Sequence, residues 1–162
     1  MINTLRIVLL SLSLALLLSA CGGGTSTAPP TKVIVKLATS GTLPGQLKIG
    51  GLQTEISYPT AENKRLSITD SNIIASDKAI GATLATNLAV PGKISFINFT
   101  LSGTGFSVGE FATLTFSIAP GSSPVASDFE VIPGTTIVGS SEDVPTDLSS
   151  QISVVIQSVT FQ

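Results

Sequence analysis

The sequence predicts an all-β protein, a single β-sandwich of about eight or nine short strands. Three observations carry that prediction. Residues 111–118 (FATLTFSI) alternate strictly: Ala112, Leu114, Phe116 and Ile118 point one way, and Thr113, Thr115 and Ser117 the other. Turn dipeptides punctuate the chain at Pro44-Gly45, Pro91-Gly92, Pro120-Gly121 and Pro133-Gly134. No sustained helical period, and no alternation of strands with helices, competes with that pattern.

The strands follow in order. Residues 33–37 (VIVKL) form a β-branched run between Pro30 and Ser40-Gly41. Residues 48–58 place Leu52, Ile56 and Tyr58 on one face and Gln53, Glu55 and Ser57 on the other, and Pro59 ends the run. The polar stretch 60–78 allows only short pieces, at 66–68 and 73–75. Residues 79–90 are ambiguous between a helical turn and a strand; their neighbours favour a strand at 83–88. Residues 93–101 are apolar at both parities (Ile94, Phe96, Ile97, Phe99, Leu101), which fits a central strand or a bulge near Phe96-Ile97. A turn at 102–105 leads to the strand at 111–118. Short strands are expected at 129–132 and 135–138, then an acidic loop over 139–146. The last strand, 151–161, changes its apolar parity between Ile156 and Val159, so a bulge is expected near Gln157-Ser158.

The first thirty residues have a different character. Arg6 follows the amino terminus, residues 7–18 are apolar apart from Ser11 and Ser13, and Leu18-Ser19-Ala20-Cys21 closes the run. About 20 apolar residues are needed to span a bilayer, so this run matches the core of a secretory signal instead. The segment resembles a bacterial lipoprotein signal peptide, with Leu18 to Cys21 as its lipobox. An ordinary secretory signal with a chance cysteine is the competing reading. The resemblance implies cleavage between Ala20 and Cys21, a diacylglyceryl group on the Cys21 thiol, and acylation (palmitate) at the new amino terminus. Two or more acyl chains give a stable anchor where one alone is marginal. Gly22 stands where an Asp would signal inner-membrane retention, so the resemblance implies a bacterial cell-envelope protein held at the outer membrane.

The domain plan is therefore a cleaved signal (1–20), a lipidated cysteine with a Gly/Ser/Thr/Pro tether (21–32), and one folded domain (33–162). As a coil the tether reaches roughly 15–20 Å, and about 33 Å fully stretched. Of the eight basic residues Arg6 leaves with the leader, so seven face ten acids, a charge of about −3. A chain so weakly charged, and acidic, does not suit nucleic acid.

Residues 108–118 (VGEFATLTFSI), followed by Pro120-Gly121 and Ser127-Asp128-Phe129, are similar to the later half of a cohesin-type domain. The strand order along the rest of the chain is also similar. The resemblance implies a jelly-roll sandwich related in shape to several carbohydrate-binding modules. It also implies a protein partner, since some cohesins bind dockerin modules through one face. The chain contains no calcium-loop dockerin repeat and no second cohesin. A lipid-anchored, non-catalytic module for protein–protein interaction, or a structural or adhesive role, is expected. A carbohydrate-binding lipoprotein that holds a polysaccharide is the alternative.

Catalytic chemistry finds little material. The sequence has no histidine, the usual neutral-pH base and commonest metal ligand. Cys21 is the single cysteine, so no internal disulfide can form. No serine stands three residues before a lysine. Carboxylate pairs remain at Asp128 with Glu130, on one face of a strand, and at Glu142 with Asp143. Solvated edges explain both. Glu142, Asp143 and Asp147 crowd one loop and are weak candidates for Ca²⁺, without EF-hand spacing. Gly103-Thr104-Gly105 lacks the third glycine and following helix of a phosphate cradle. Asn98-Phe99-Thr100 is a chance sequon. No catalytic residue, cofactor or metal is therefore expected, and Cys21 is the residue with assigned chemistry. A glycan surface would need exposed aromatics, whereas the single tyrosine and most of the seven phenylalanines sit at core parity. The Ser/Thr faces at Thr113, Thr115 and Ser117 suit protein docking instead.

Overall fold

In a computed structural model, residues 28–100 and 104–162 are described, and they hold ten strands in two antiparallel sheets. One sheet has the order β10 (Ile152–Phe161), β1 (Lys32–Gly41), β7 (Glu110–Ile118) and β3 (Leu66–Ser67), with β4 (Ile73–Ala75) also on β7. The other has the order β5 (Thr83–Asn87), β6 (Lys93–Phe99), β2 (Ile49–Ser57) and β8 (Glu130–Val131), with β9 (Ile137–Ser140) also on β2. These are called the β1 sheet and the β2 sheet below. The sandwich matches the expected class; the strand number exceeds eight or nine because β3, β4 and β8 are fragments of two or three residues.

The core lies between the sheets. Val33, Val35 and Leu37 of β1 and Leu114 and Phe116 of β7 face Leu52 and Ile56 of β2 and Ile94 and Phe96 of β6, all buried. Each such side chain contributes about 1.5–3 kcal/mol by leaving water. Aromatic rings tie the layers: Phe116 touches Tyr58 (centroids 5.2 Å) and Phe129 (5.3 Å), and Phe96 meets Phe111 at 6.0 Å. The tilted geometry of these pairs adds to their area burial.

Two irregularities shape the β1 sheet. The register shifts between Lys36 and Leu37, where Ser158 and Ile156 are the successive partners on β10, so Gln157 is the extra residue. The parity change at that point predicts this bulge. A second shift leaves Phe111 between Ala112 and Glu110, the partners of Leu37 and Ala38, and both Phe111 and Ala112 become buried. β6 has no bulge: it pairs in unbroken register with β2 and with β5, which makes it a central strand.

Other boundaries move slightly. β9 begins and ends two residues later than the expected 135–138 strand, because Thr135 and Thr136 use their hydroxyls in the preceding turn and on Thr54. The ambiguous 79–90 stretch resolves into a 3-10 turn at Asp77–Ala79 and the strand β5. The lipobox, Ala20, Cys21, the tether up to Thr27, and Leu101 to Gly103 lie outside the described residues. Among the described residues no helix is long and apolar enough to cross a membrane.

Thr31 and the C-terminus share one end of the sandwich. Thr31 and Lys32 donate backbone hydrogen bonds to the Gln162 carbonyl, at 2.6 and 2.9 Å. Thr31 therefore lies beside the C-terminus, away from the loops at 42–48 and 141–151.

Candidate interaction face

Strand alternation puts half of each β2-sheet strand on the outside, and register decides which of those residues are neighbours. Gln53 is opposite Ile97 on β6 and opposite Ile137 on β9; Ile97 is in turn opposite Ala85 on β5. Ala85, Ile97, Gln53 and Ile137 thus form one row across four strands. Ile97 is 45% exposed and Ile137 58%. The next row holds Thr83, Phe99, Gly51 and Gly139, where the two glycines keep the surface low. A depression of about 250 Å³ runs between Gln53, Ala85, Asn87, Ser95 and Ile97.

Charge borders this face on the side of Asn87, Ser95 and Glu55. Lys93 Nζ donates to both Glu55 oxygens at 3.0 and 3.1 Å, and the Ser95 hydroxyl donates to Oε1 at 2.8 Å. The Ser95 hydrogen bond first, and then Lys93, hold the Glu55 carboxyl below its ordinary range. The patch therefore sets two exposed isoleucines about Gln53, with a satisfied polar border on the Glu55 side, features that protein interfaces share.

The outer face of the β1 sheet is built differently. Lys36 Nζ pairs with Glu110 at 2.9 Å, while the hydroxyls of Ser76 (2.7 Å) and Thr113 (3.2 Å) donate to the other carboxylate oxygen. The Ser76 hydrogen bond and then Lys36 outweigh partial burial and lower the Glu110 carboxyl. Thr113 is therefore committed to this network, and Thr113 and Thr115 are half-buried. Of the Ser/Thr face expected to suit docking, Thr113 is bonded into this network and Ser117 is exposed.

The carboxylate pairs separate. Asp128 is not on a strand beside Glu130; it belongs to the 3-10 turn Ala126–Asp128. There it accepts from the Val125 N–H at 2.7 Å and pairs with Lys64, which lowers its carboxyl, while Glu130 is exposed. Glu142 and Asp143 are exposed loop residues. Glu142 accepts from the Thr146 hydroxyl at 3.3 Å, and Asp147 accepts from the Ser149 N–H at 2.9 Å. Among the described residues no three His, Cys, Asp or Glu side chains gather closely enough to hold a metal ion. Local turn contacts engage Glu142 and Asp147 separately.

None of the aromatic side chains, all of which fall among the described residues, is exposed. Tyr58 packs on Phe116, and Phe99 and Phe161 are half-buried. Asn98, the sequon residue, is fully buried, and among the described residues neither its amide nitrogen nor its oxygen has a partner.

Sequence reasoning missed Ile97 and Ile137 as surface residues. The signal for Ile97 was its wrong parity between Phe96 and Asn98. Reading that parity as a solvent-facing apolar row needed the register with β9 as well.

No protein-family model and no curated protein matches the sequence. Among solved structures, the chain is similar to the sixth cohesin of scaffoldin B from Acetivibrio cellulolyticus, which was solved in complex with a dockerin. Identity is 23%, with a TM-score of 0.55 over 75% of this chain and 88% of that one. The seventh type I cohesin of a scaffoldin from Pseudobacteroides cellulosolvens is similar at 16% identity and TM-score 0.53, over 75% of this chain and 77% of that one. A further cohesin, also solved with a dockerin, gives 20% and 0.53, over 74% and 84%. The chain has the cohesin fold.

Proposed function

We propose that this chain is a lipid-anchored, non-catalytic module that docks a protein through the outer face of the β2 sheet. The observation that carries the reading is the Ala85, Ile97, Gln53, Ile137 row, with its two exposed isoleucines framed by polar residues. Desolvating such a centre inside a polar rim is how protein interfaces gain affinity. The cohesin fold supports a protein partner, and two of the similar cohesins are held by dockerins. A dockerin-like module is accordingly the partner class proposed. No exposed aromatic favours a glycan.

The anchor completes the proposal. Cleavage before Cys21, acylation of that cysteine and retention at the outer membrane would leave the sandwich on a tether of about ten residues, reaching up to roughly 33 Å. Since Thr31 and Gln162 lie together, the tether would join at one end and leave the β2 sheet accessible from the side.

The test has two arms. Cells given labelled palmitate should label the full chain, and Cys21→Ser should abolish the label; a labelled Cys21→Ser chain contradicts the anchor. Purified dockerin modules and a polysaccharide array are then presented to the chain. Binding to a dockerin that is lost in Ile97→Asp supports the docking face. Retention by polysaccharide alone contradicts it.

A further inference from the structure

Most free sheet edges in this molecule are short. β3, β4, β8 and β9 have two to four residues, and the other edge strand, β5, has five. β10 is the exception. It is ten residues long, it lies at the border of the β1 sheet, and among the described residues its only ladder partner is β1. Its sequence, ISVVIQSVTF, contains no charge, no proline and no glycine. Proteins ordinarily blunt a long edge with such residues, because unpaired backbone groups template another strand. Here the Gln157 bulge is the device of that kind within the strand, and the loop 132–136 lines a depression beside its first three residues.

Register shows which backbone groups are free. Thr39, opposite Val154, sends its N–H to Gly109, away from β10. Val154 therefore directs its own N–H and C=O away from β1, and so, two residues on, does Ile156. Beyond the bulge, Lys32 and Gln162 exchange hydrogen bonds with each other, so Phe161 and Val159 again point outward. Among the described residues nothing bonds to these groups.

Val155 sits between the two free residues that precede the bulge. Its side chain emerges on the outer face of the β1 sheet and is 39% exposed. A two-fold axis through Val155 would place Val154 of one copy opposite Ile156 of the other, with their free N–H and C=O groups exchanged. The two Val155 side chains would meet as a non-hydrogen-bonded pair, Cα atoms about 4.5 Å apart. Because the strand is uncharged, antiparallel pairing with itself sets no like charges opposite each other. Closure by a two-fold also uses up the edge, where a head-to-tail contact would continue.

We propose that the chain forms a two-fold dimer by antiparallel pairing of β10 with β10 about Val155, joining the two β1 sheets into one. This surface is separate from the β2-sheet face and does not depend on it.

The test uses the full chain in its native membrane. Val155→Cys, mildly oxidised, should give a reducible species of twice the mass, since the paired Cα separation falls within disulfide range. Ile97→Cys on the other sheet and the unsubstituted chain, which retains Cys21, serve as backgrounds. Val155→Lys sets two ammonium groups against each other and should weaken the dimer about tenfold by sedimentation of the detergent-solubilised chain. Circular dichroism of that variant checks that it folds. Cross-linking of Val155→Cys no greater than the backgrounds, a dimer indifferent to Val155→Lys, or open-ended oligomers in place of a dimer would each overturn the proposal.

Discussion

Ile97 and Ile137 stand on opposite sides of Gln53, one contributed by β6 and the other by β9, and all three face solvent in a single cross-strand row. Residues forty positions apart in the chain thus flank Gln53 in one row. Ile97→Asp and Ile137→Asp should each weaken binding of a protein partner about tenfold or more, as charging the centre of an interface does. Both positions are exposed, so thermal stability should move by no more than about 0.5 kcal/mol. Titration of each variant against a bound dockerin module, with a parallel melt, checks the split.

Acid should destabilise the fold through its buttressed carboxylates. Glu110, Glu55 and Asp128 are all held below their ordinary values of 4.5 and 3.8 in the folded chain. The unfolded chain therefore takes up these protons first as pH falls, which pulls the equilibrium toward unfolding. Their contribution is fully present above about pH 4.5 and drains away as pH falls below that value and through the depressed folded pKa. Denaturant midpoints measured from pH 3 to pH 7 should rise and then level. Glu110→Gln should flatten part of the rise, whereas a midpoint independent of pH contradicts the coupling.

Asn98 is a polar residue at a core position, and both its amide atoms are unpaired among the described residues. An unsatisfied buried amide costs about 1–3 kcal/mol. Asn98→Leu, similar in size, should therefore raise the midpoint of unfolding. A fall shows that the amide is satisfied in solution.

Gly41 ends β1 with φ near 130°, and a Cβ there would stand 2.0 Å from the Gln151 backbone oxygen. Neither backbone can yield without breaking the β1–β10 pairing. Gly41→Ala should cost about 1–3 kcal/mol. Gly45 has open space around the corresponding position, so Gly45→Ala should cost less, by backbone strain alone.

How much of this was legible in the sequence follows from the range of each cause. The alternation of β7 and the parity change at Gln157 are local, so both read directly from neighbouring residues. The apolar residues of β6 at both parities correctly suggested a central strand. They did not reveal that Ile97 faces water while Asn98 faces the core, because only the pairing with β2 and β5 fixes the strand's rotation. Asp128 and Glu130 looked like a strand-face pair by spacing; a three-residue 3-10 turn rotates Asp128 onto Val125 and Lys64 instead. Glu110, Lys36, Ser76 and Thr113 form a network spanning up to 74 positions of chain, and no local pattern announces it.

Site-specific photo-crosslinking in cells distinguishes docking through the β2-sheet face from docking elsewhere. A photoreactive benzoyl-phenylalanine replaces Ile97 in one full-length chain and Thr115, on the opposite sheet, in another. Docking through the Ile97 row predicts a discrete protein adduct from position 97 and none of that mass from position 115. Adducts of equal yield at both positions, or no protein adduct at position 97, would contradict it.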